Sequence, residues 1–231
     1  MITVGTNNVE GREKWIRETL KKIPAGSKLL DAGAGQCIFK QYCSHLEYIA
    51  QDFGQYDGKG DVGIQTGEWD NSQLDIVSDI TEIPLPDGSV DAVMCTEVFE
   101  HIPHPVKALN EFSRLVRSGG YLLITAPFCS LTHFAPYHFY TGFSKFFYET
   151  HLRDNGFEII EQAFNGNYFE YIGQEVRRVW QVADKYTNKK LSLIDKIFLK
   201  GSLRALDKLS KVDSGSSELL CYGVHIFARK K

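Results

Sequence analysis

Leu29-Leu30-Asp31-Ala32-Gly33-Ala34-Gly35-Gln36 decides how this chain reads: an apolar run ends in a carboxylate and then turns through two glycines. A strand that turns tightly into the next segment needs glycine there, because a Cβ would collide with a ligand or forbid the backbone dihedrals. By itself a Gly-x-Gly turn suits a dinucleotide, another adenosyl ligand, or nothing at all. The dinucleotide fingerprint wants a third glycine three positions after the second, and Ile38 stands there. Asp31, at the strand end, would repel a pyrophosphate but suits a ligand that carries an ammonium group. Pyrophosphate is the poorer fit.

Outward from this turn, β-rich apolar runs recur at 28–30, 48–50, 74–77, 90–95, 121–126 and 157–160. Helical patterns over 36–46, 106–116 and 144–155 fall between them. Asp87-Gly88, Ser118-Gly119-Gly120 and Asn155-Gly156 supply the turn and helix-stop chemistry at element ends. Strands alternating with helices predict an α/β domain whose parallel sheet is covered on both faces. The expected organisation is a single domain with four parts: an N-terminal helical cap over 1–27, a core over 28–164, a helical insertion over 165–218 and a last strand in 219–231. In the cap, 10–22 is amphipathic with Trp15, Ile16 and Leu20 on one side, to pack on the sheet edge or to act as a lid. The insertion carries helical patterns over 168–186 and 191–212.

Composition agrees with one such domain. The 231 residues are 43% hydrophobic and 24% charged, which excludes wholesale disorder, collagen and coiled coil. Lys+Arg of 26 against Asp+Glu of 29 gives a net charge of −3, without the basic excess of a dedicated nucleic-acid binder. Five cysteines (Cys37, Cys43, Cys95, Cys129 and Cys221) form no Cys-x-x-Cys pair, so a reducing compartment is expected, and no metal site. No apolar leader opens the chain, and no apolar stretch nears the roughly 20 residues of a membrane-spanning helix. A cytoplasmic location is the expectation.

The insertion has its own electrostatics. Between Asp184 and Val212 eight basic residues face three acids, interleaved with Leu191, Ile194, Ile197, Phe198, Leu206 and Leu209 near helical spacing. That pattern suits a helix packing its apolar stripe on the core with a solvated basic face. It also suits an interfacial helix on an anionic lipid or lipid-linked acceptor, hence peripheral membrane association. A channel for an anionic substrate or a partner surface is the third reading.

Taken together, the motifs resemble the class I S-adenosylmethionine-dependent methyltransferases, most of all the quinone-biosynthesis and small-molecule subgroup. Asp31-Ala32-Gly33-Ala34-Gly35 is similar to the family's first motif, and Asp52, 19 residues beyond Gly33, to its acid at the end of strand two. Ser78-Asp79-Ile80 resembles the acid-plus-apolar pair after strand three. Residues 84–93 with Glu97-Val98-Phe99-Glu100-His101-Ile102 resemble the stretch around strand four, and 115–124 the approach to strand five. Cys37 departs from the pattern, standing where the family often has glycine. The resemblance covers about 28–164. It implies a Rossmann-like, doubly wound, mostly parallel seven-stranded sheet with an antiparallel last strand, and S-adenosylmethionine as cofactor.

The resemblance also implies roles. Asp52 is placed for the ribose hydroxyls, Asp79 for the adenine amino group with Ile80 and Phe53 as apolar walls, and Asp31, Gly33, Ala34, Gly35 and Thr96 for the methionine end. Methyl transfer from a sulfonium needs alignment of the acceptor and exclusion of water. A hydroxyl acceptor also gains from a general base, for which histidine is suited by its near-neutral pKa. His101, past strand four, and His133 and His138, in the aromatic segment 127–141, are the candidates. Amino-group methylation of nucleic-acid bases commonly uses an Asn/Asp-Pro-Pro-aromatic motif where this chain has Thr96-Glu97-Val98-Phe99, which disfavours it. A small-molecule hydroxyl is the expected acceptor, with glycan-, quinone- and lipid-linked molecules as the candidate classes. A catalytically silent adenosyl-binding or interaction protein and a nicotinamide-dependent oxidoreductase are the competing readings.

Overall fold

The computed structural model describes residues 1–60, 62–65 and 67–231. In chain order the elements are α1 (Asn8–Leu20), β1 (Lys28–Ala32), β2 (Glu47–Asp52), β3 (Ile76–Val77), β4 (Val90–Thr96), α2 (Pro105–Leu115), β5 (Val116–Pro127), α3 (Lys145–Asp154), β6 (Phe157–Asn165), α4 (Tyr168–Tyr186), α5 (Leu193–Ser210) and β7 (Gly223–Lys230). The sheet has seven strands in the order β3-β2-β1-β4-β5-β7-β6. Strands β1 and β2, β1 and β4, β2 and β3, and β4 and β5 pair in parallel, and β7 runs antiparallel to β5. This is the expected Rossmann-like α/β architecture.

The central strands are buried on both faces, which is why β1, β4 and β5 read as near-continuous apolar runs rather than alternating ones. One core cluster gathers Ile16, Leu20, Ile23, Leu29, Phe39, Cys43, Ala92, Met94, Leu123 and Phe227. Leu109, Phe112 and Leu115 of α2 are fully buried as well. Each such side chain contributes about 1.5–3 kcal/mol by leaving water. Trp15 packs against the first cluster, and its Nε1 donates to Glu161 Oε1 at 2.7 Å, so this side of α1 is a packing face.

The chain divides into two compact units: Lys14–Ala163 with Gly223–Lys231, and Met1–Glu13 with Phe164–Tyr222. The first holds most of the sheet. The second holds α4 and α5, started by sequence-local caps: Asn167 accepts from the Glu170 amide, and Ser192 with Asp195 forms a capping box. Here Asp207 Oδ1 accepts from the amides of Thr3 and Val4, and Arg177 donates to the carbonyls of Val4 and Ile2, so the extreme N-terminal segment is strapped to both helices.

Three local expectations are corrected. The helix expected over 36–46 is replaced by turns and a short 3-10 helix, Lys40–Tyr42. Cys37 stands at φ +56°, in the left-handed region, which an α-helix starting at Gln36 could not contain. Ser118-Gly119-Gly120 is no element boundary but lies inside β5. Gly119 at φ +77° accommodates the irregularity that shifts the β4–β5 register between Val90 and Ala92. The run at 74–77 shortens to the two residues of β3.

Candidate active site

The turn after β1 is fastened by the backbone. Both Gly33 N and Ala34 N donate to the carbonyl of Gln51 at 2.8 Å. Gly33 sits at φ +80°, and a Cβ there would stand 2.4 Å from a methyl of Val98. No other residue type fits. Cys37 keeps the turn despite replacing a glycine: it is buried, and burial pushes its thiol pKa up, as expected of a structural cysteine.

Two carboxylates meet at this turn. Asp52, the last residue of β2, accepts from Gly35 N at 3.0 Å and from Gly54 N at 2.9 Å, bridging the ends of β1 and β2. Burial raises its pKa despite these bonds. Asp31 is buried in β1. Its Oδ2 accepts from the Tyr48 hydroxyl at 2.5 Å, while its Oδ1 has no hydrogen-bond partner among the described residues. Burial pushes Asp31 up to about 7, the Tyr48 hydroxyl pulls it back in part, and the nearby Asp52 charge raises it further.

The third aspartate is different. Asp79 is exposed, and its Oδ1 accepts from both the amide and the hydroxyl of Thr81 at 2.8 Å, fixing the turn after β3. Beside it Ile80 is buried. Gln51 Nε2 reaches the Ser78 carbonyl at 2.8 Å, tying the end of β2 to the same turn. Phe53 follows Asp52 and meets the Tyr137 ring edge-on at 4.9 Å.

At the end of β4, Thr96 pairs with Thr125 of β5, and Glu97 Oε1 accepts from the Thr125 hydroxyl at 2.9 Å. The chain then makes a 3-10 turn, Phe99–His101. The loop after β5 folds back onto it: the amides of Phe139 and Tyr140 donate to the Glu100 carbonyl at 2.8 and 3.2 Å. In consequence three histidines far apart in sequence gather. Ring centroids are 4.6 Å apart for His101 and His133, 5.0 Å for His133 and His138, and 6.0 Å for His101 and His138. The buried Glu100 carboxylate places Oε1 3.6 Å from His101 Nε2 and 3.8 Å from His133 Nε2. Burial, then the neighbouring His133, holds His101 down to about 3, so its imidazole is neutral.

A protein-family profile described as "Methyltransferase domain" matches residues 30–124, the stretch that carries the glycine turn, Asp52, Asp79, Thr96 and His101. These residues form a methyltransferase domain of the class I S-adenosylmethionine-dependent kind.

Among relatives of this methyltransferase, it is 24% identical over 221 residues to a sarcosine/dimethylglycine N-methyltransferase of Halorhodospira halochloris, covering 90% of this chain and 77% of that protein. It is 25% identical over 118 residues to a ubiquinone biosynthesis O-methyltransferase of Leptothrix cholodnii, spanning 49% of each. Among solved structures it shares the fold of a SAM-dependent methyltransferase from Archaeoglobus fulgidus, with TM-score 0.56, 17% identity and 94% of each chain covered. S-adenosylmethionine is its cofactor, and the turn fits such a ligand. Asp31 Oδ1, a buried carboxylate oxygen without a hydrogen-bond partner among the described residues, is suited to an ammonium group.

Several site residues of the methyltransferase escaped sequence reading. Tyr48 lies across from Leu29 on the neighbouring strand and only the register brings it to Asp31. Glu100 stands next to His101, so its proximity was legible but its burial was not. Trp69 comes from the long connection between β2 and β3, stacks edge-on against Tyr56 and Phe134, and lies where a Cβ on Gly35 would approach it to 2.7 Å. Nothing periodic in that segment signals it.

Proposed function

We propose that this methyltransferase moves a methyl group onto a hydroxyl oxygen of a small molecule. In this reading Asp52 accepts hydrogen bonds from the ribose hydroxyls, and Asp31 Oδ1 accepts from the ammonium group of the methionine end, alongside Gly33, Ala34, Gly35 and Thr96. Asp79, whose Oδ1 is spent on Thr81, offers its second oxygen to the adenine amino group, with Ile80 and Phe53 as apolar walls. When bound, S-adenosylmethionine supplies a methyl group already activated by its sulfonium. The bond from sulfur to methyl breaks, a bond from acceptor oxygen to methyl forms, and the hydroxyl proton leaves toward the histidine cluster and solvent.

The observation that supports an oxygen acceptor is the convergence of His101, His133 and His138 beside Tyr137, whose ring meets Phe53 next to Asp52. A hydroxyl is a poor nucleophile until its proton is drawn away; with His101 held down to about 3 and therefore a weak base, that task falls to His133 or His138 at the carboxyl edge of the sheet, and His101 positions them. Phe134, in ring contact with His101 and His133 and packed against Tyr56 and Trp69, gives the cluster an aromatic wall that suits a flat or apolar acceptor.

Labelled-methyl transfer into a small-molecule extract, followed by carbon NMR of the product, tests this reading. A methoxy carbon supports it. A methylated nitrogen or carbon overturns the oxygen assignment, and cofactor binding without any transfer favours a silent binding protein.

A further inference from the structure

We propose that His101, His133 and His138, with the Glu100 carboxylate beside them, form a binding site for a divalent first-row transition-metal ion of the zinc type, which holds the acceptor oxygen. The proposal deepens the reading of the histidine cluster as the acceptor end of the site and rests on it.

The geometry is that of a slightly open donor set. One ligand atom from each histidine lies within 4.8 Å of the other two. A tetrahedral ion with nitrogen ligands at about 2.0–2.1 Å sets them about 3.4 Å apart, so small side-chain rotations close the cluster. Two of the rings are already oriented. His101 Nδ1 stands 2.6 Å from the Tyr137 carbonyl, and His133 Nδ1 2.8 Å from that of Leu131. A carbonyl can only accept, so in each neutral ring Nδ1 carries the hydrogen and Nε2 the lone pair. Histidines that bind metals are held this way, with the second nitrogen donating to a carbonyl or carboxylate.

Both lone-pair nitrogens lie within 3.8 Å of Glu100 Oε1. A cation held by the two nitrogens would therefore lie beside this carboxylate oxygen. His138 adds an independent observation: both of its ring nitrogens are shielded from solvent and have no hydrogen-bond partner among the described residues. Leaving such a polar group unsatisfied is costly, and a metal ligand bond satisfies it. Three imidazoles and one carboxylate suit zinc, iron or nickel, whereas magnesium prefers oxygen ligands and water. An ion there makes a bound hydroxyl more acidic without requiring any one histidine to accept its proton.

Cobalt, which colours intensely when ligated tetrahedrally, is the probe, with zinc as competitor. Metal-stripped protein is titrated in the absence of S-adenosylmethionine and acceptor. The expected result is a single site, bleached by zinc, and weakened more than about tenfold in His133→Ala and in His138→Ala, whose folding is checked by circular dichroism. Failure of the wild-type protein to bind cobalt or zinc, or unchanged affinity in both variants, overturns the proposal. Methyl transfer at full rate by metal-free protein also overturns it while leaving the activity standing. A bound ion with no methyl transferred to any acceptor would keep the site and remove the proposed activity.

A different observation carries a second inference, confined to the helical unit. On α5, Leu193, Ile194, Ile197 and Phe198 recur at helical spacing and are between 62% and 74% exposed. Lys189 and Lys190 precede the helix and Lys196 and Lys200 stand on it, all exposed. Exposed apolar side chains interleaved with lysine are complementary to an anionic bilayer surface, into which such a helix lays its apolar face. We infer that this face docks on anionic lipid. The full chain should co-sediment with phosphatidylglycerol vesicles and much less with phosphatidylcholine vesicles, and Ile197→Ser with Phe198→Ser should release it. Equal behaviour with both lipids overturns the inference, and so does a stable dimer lost in the same double variant.

Discussion

His101 donates its Nδ1 hydrogen to the carbonyl oxygen of Tyr137 across 2.6 Å, joining the turn after β4 to the loop after β5. The bond does two things at once. It fixes which nitrogen of His101 carries the lone pair, and it holds Tyr137 where its ring meets Phe53 at the tip of β2. Acceptor chemistry and the cofactor end of the site are thereby coupled through one main-chain carbonyl.

Replacing His101 with alanine should therefore lower kcat for methyl transfer by roughly 100-fold, the usual cost of misplacing the acceptor end of a site by about 1 Å. Cofactor affinity should change much less, because His101 is not among the groups assigned to the adenosyl ligand. Single-turnover transfer and calorimetric cofactor titration separate the two effects. Equal losses in both would mean that His101 only supports the cofactor pocket.

Asp52→Ala should weaken S-adenosylmethionine binding at least tenfold, since hydrogen bonds to a charged carboxylate contribute about 1.5–3 kcal/mol each. It also frees the amides of Gly35 and Gly54, so part of the loss will come from a looser turn. Asp52→Asn, which can still accept from one amide, should fall between. Unchanged affinity in both variants would remove Asp52 from the site.

Gly33→Ala tests the turn itself. At φ +80° an alanine is strained by about 1–2 kcal/mol, and its Cβ would also meet the Val98 methyl at 2.4 Å. A lower Tm with lost cofactor binding is expected. Combining it with Val98→Ala should recover part of the stability, because only the clash and not the dihedral strain is relieved.

Asp31 makes a pH prediction with a definite sign. Its folded pKa of about 7 is raised above the unfolded 3.8, so the folded state binds more protons between those values. Its contribution to stability is full below about pH 4 and is lost as pH rises toward 7. Asp31→Asn should flatten this part of the stability profile and stabilise the ligand-free protein at neutral pH by a few kcal/mol. An ammonium group beside Oδ1 lowers the pKa, so cofactor binding should tighten as pH rises through 7 in the wild type and not in the variant. Denaturant melts and calorimetry across pH check both statements.

The α/β order, the glycine turn and the carboxylates at strand tips were legible because each is a local signal. Apolar runs of strand length, glycine where a Cβ cannot fit, and capping residues act within a few positions of the chain. The helices at 168–186 and 106–116 emerged within a residue or two for the same reason. Where local signals conflicted, the reading failed. Residues 36–46 carry helical spacing, yet Cys37 at φ +56° and its burial against the sheet won. Gly119 looked like an element boundary and proved to be a bulge, because pairing with β4 continues past it.

The chain by itself determined the strands, the glycine turn and the identities of the histidines and aspartates. Only the tertiary structure decided which of them meet. Tyr48 reaches Asp31 through strand register, and His133 and His138 reach His101 because amides of one loop bond to the carbonyl of Glu100 in another. Such meetings depend on loop closure between segments some thirty residues apart (133 or 138 against 101), whose cost is recovered only when the whole sheet has formed, so no short stretch of sequence encodes them.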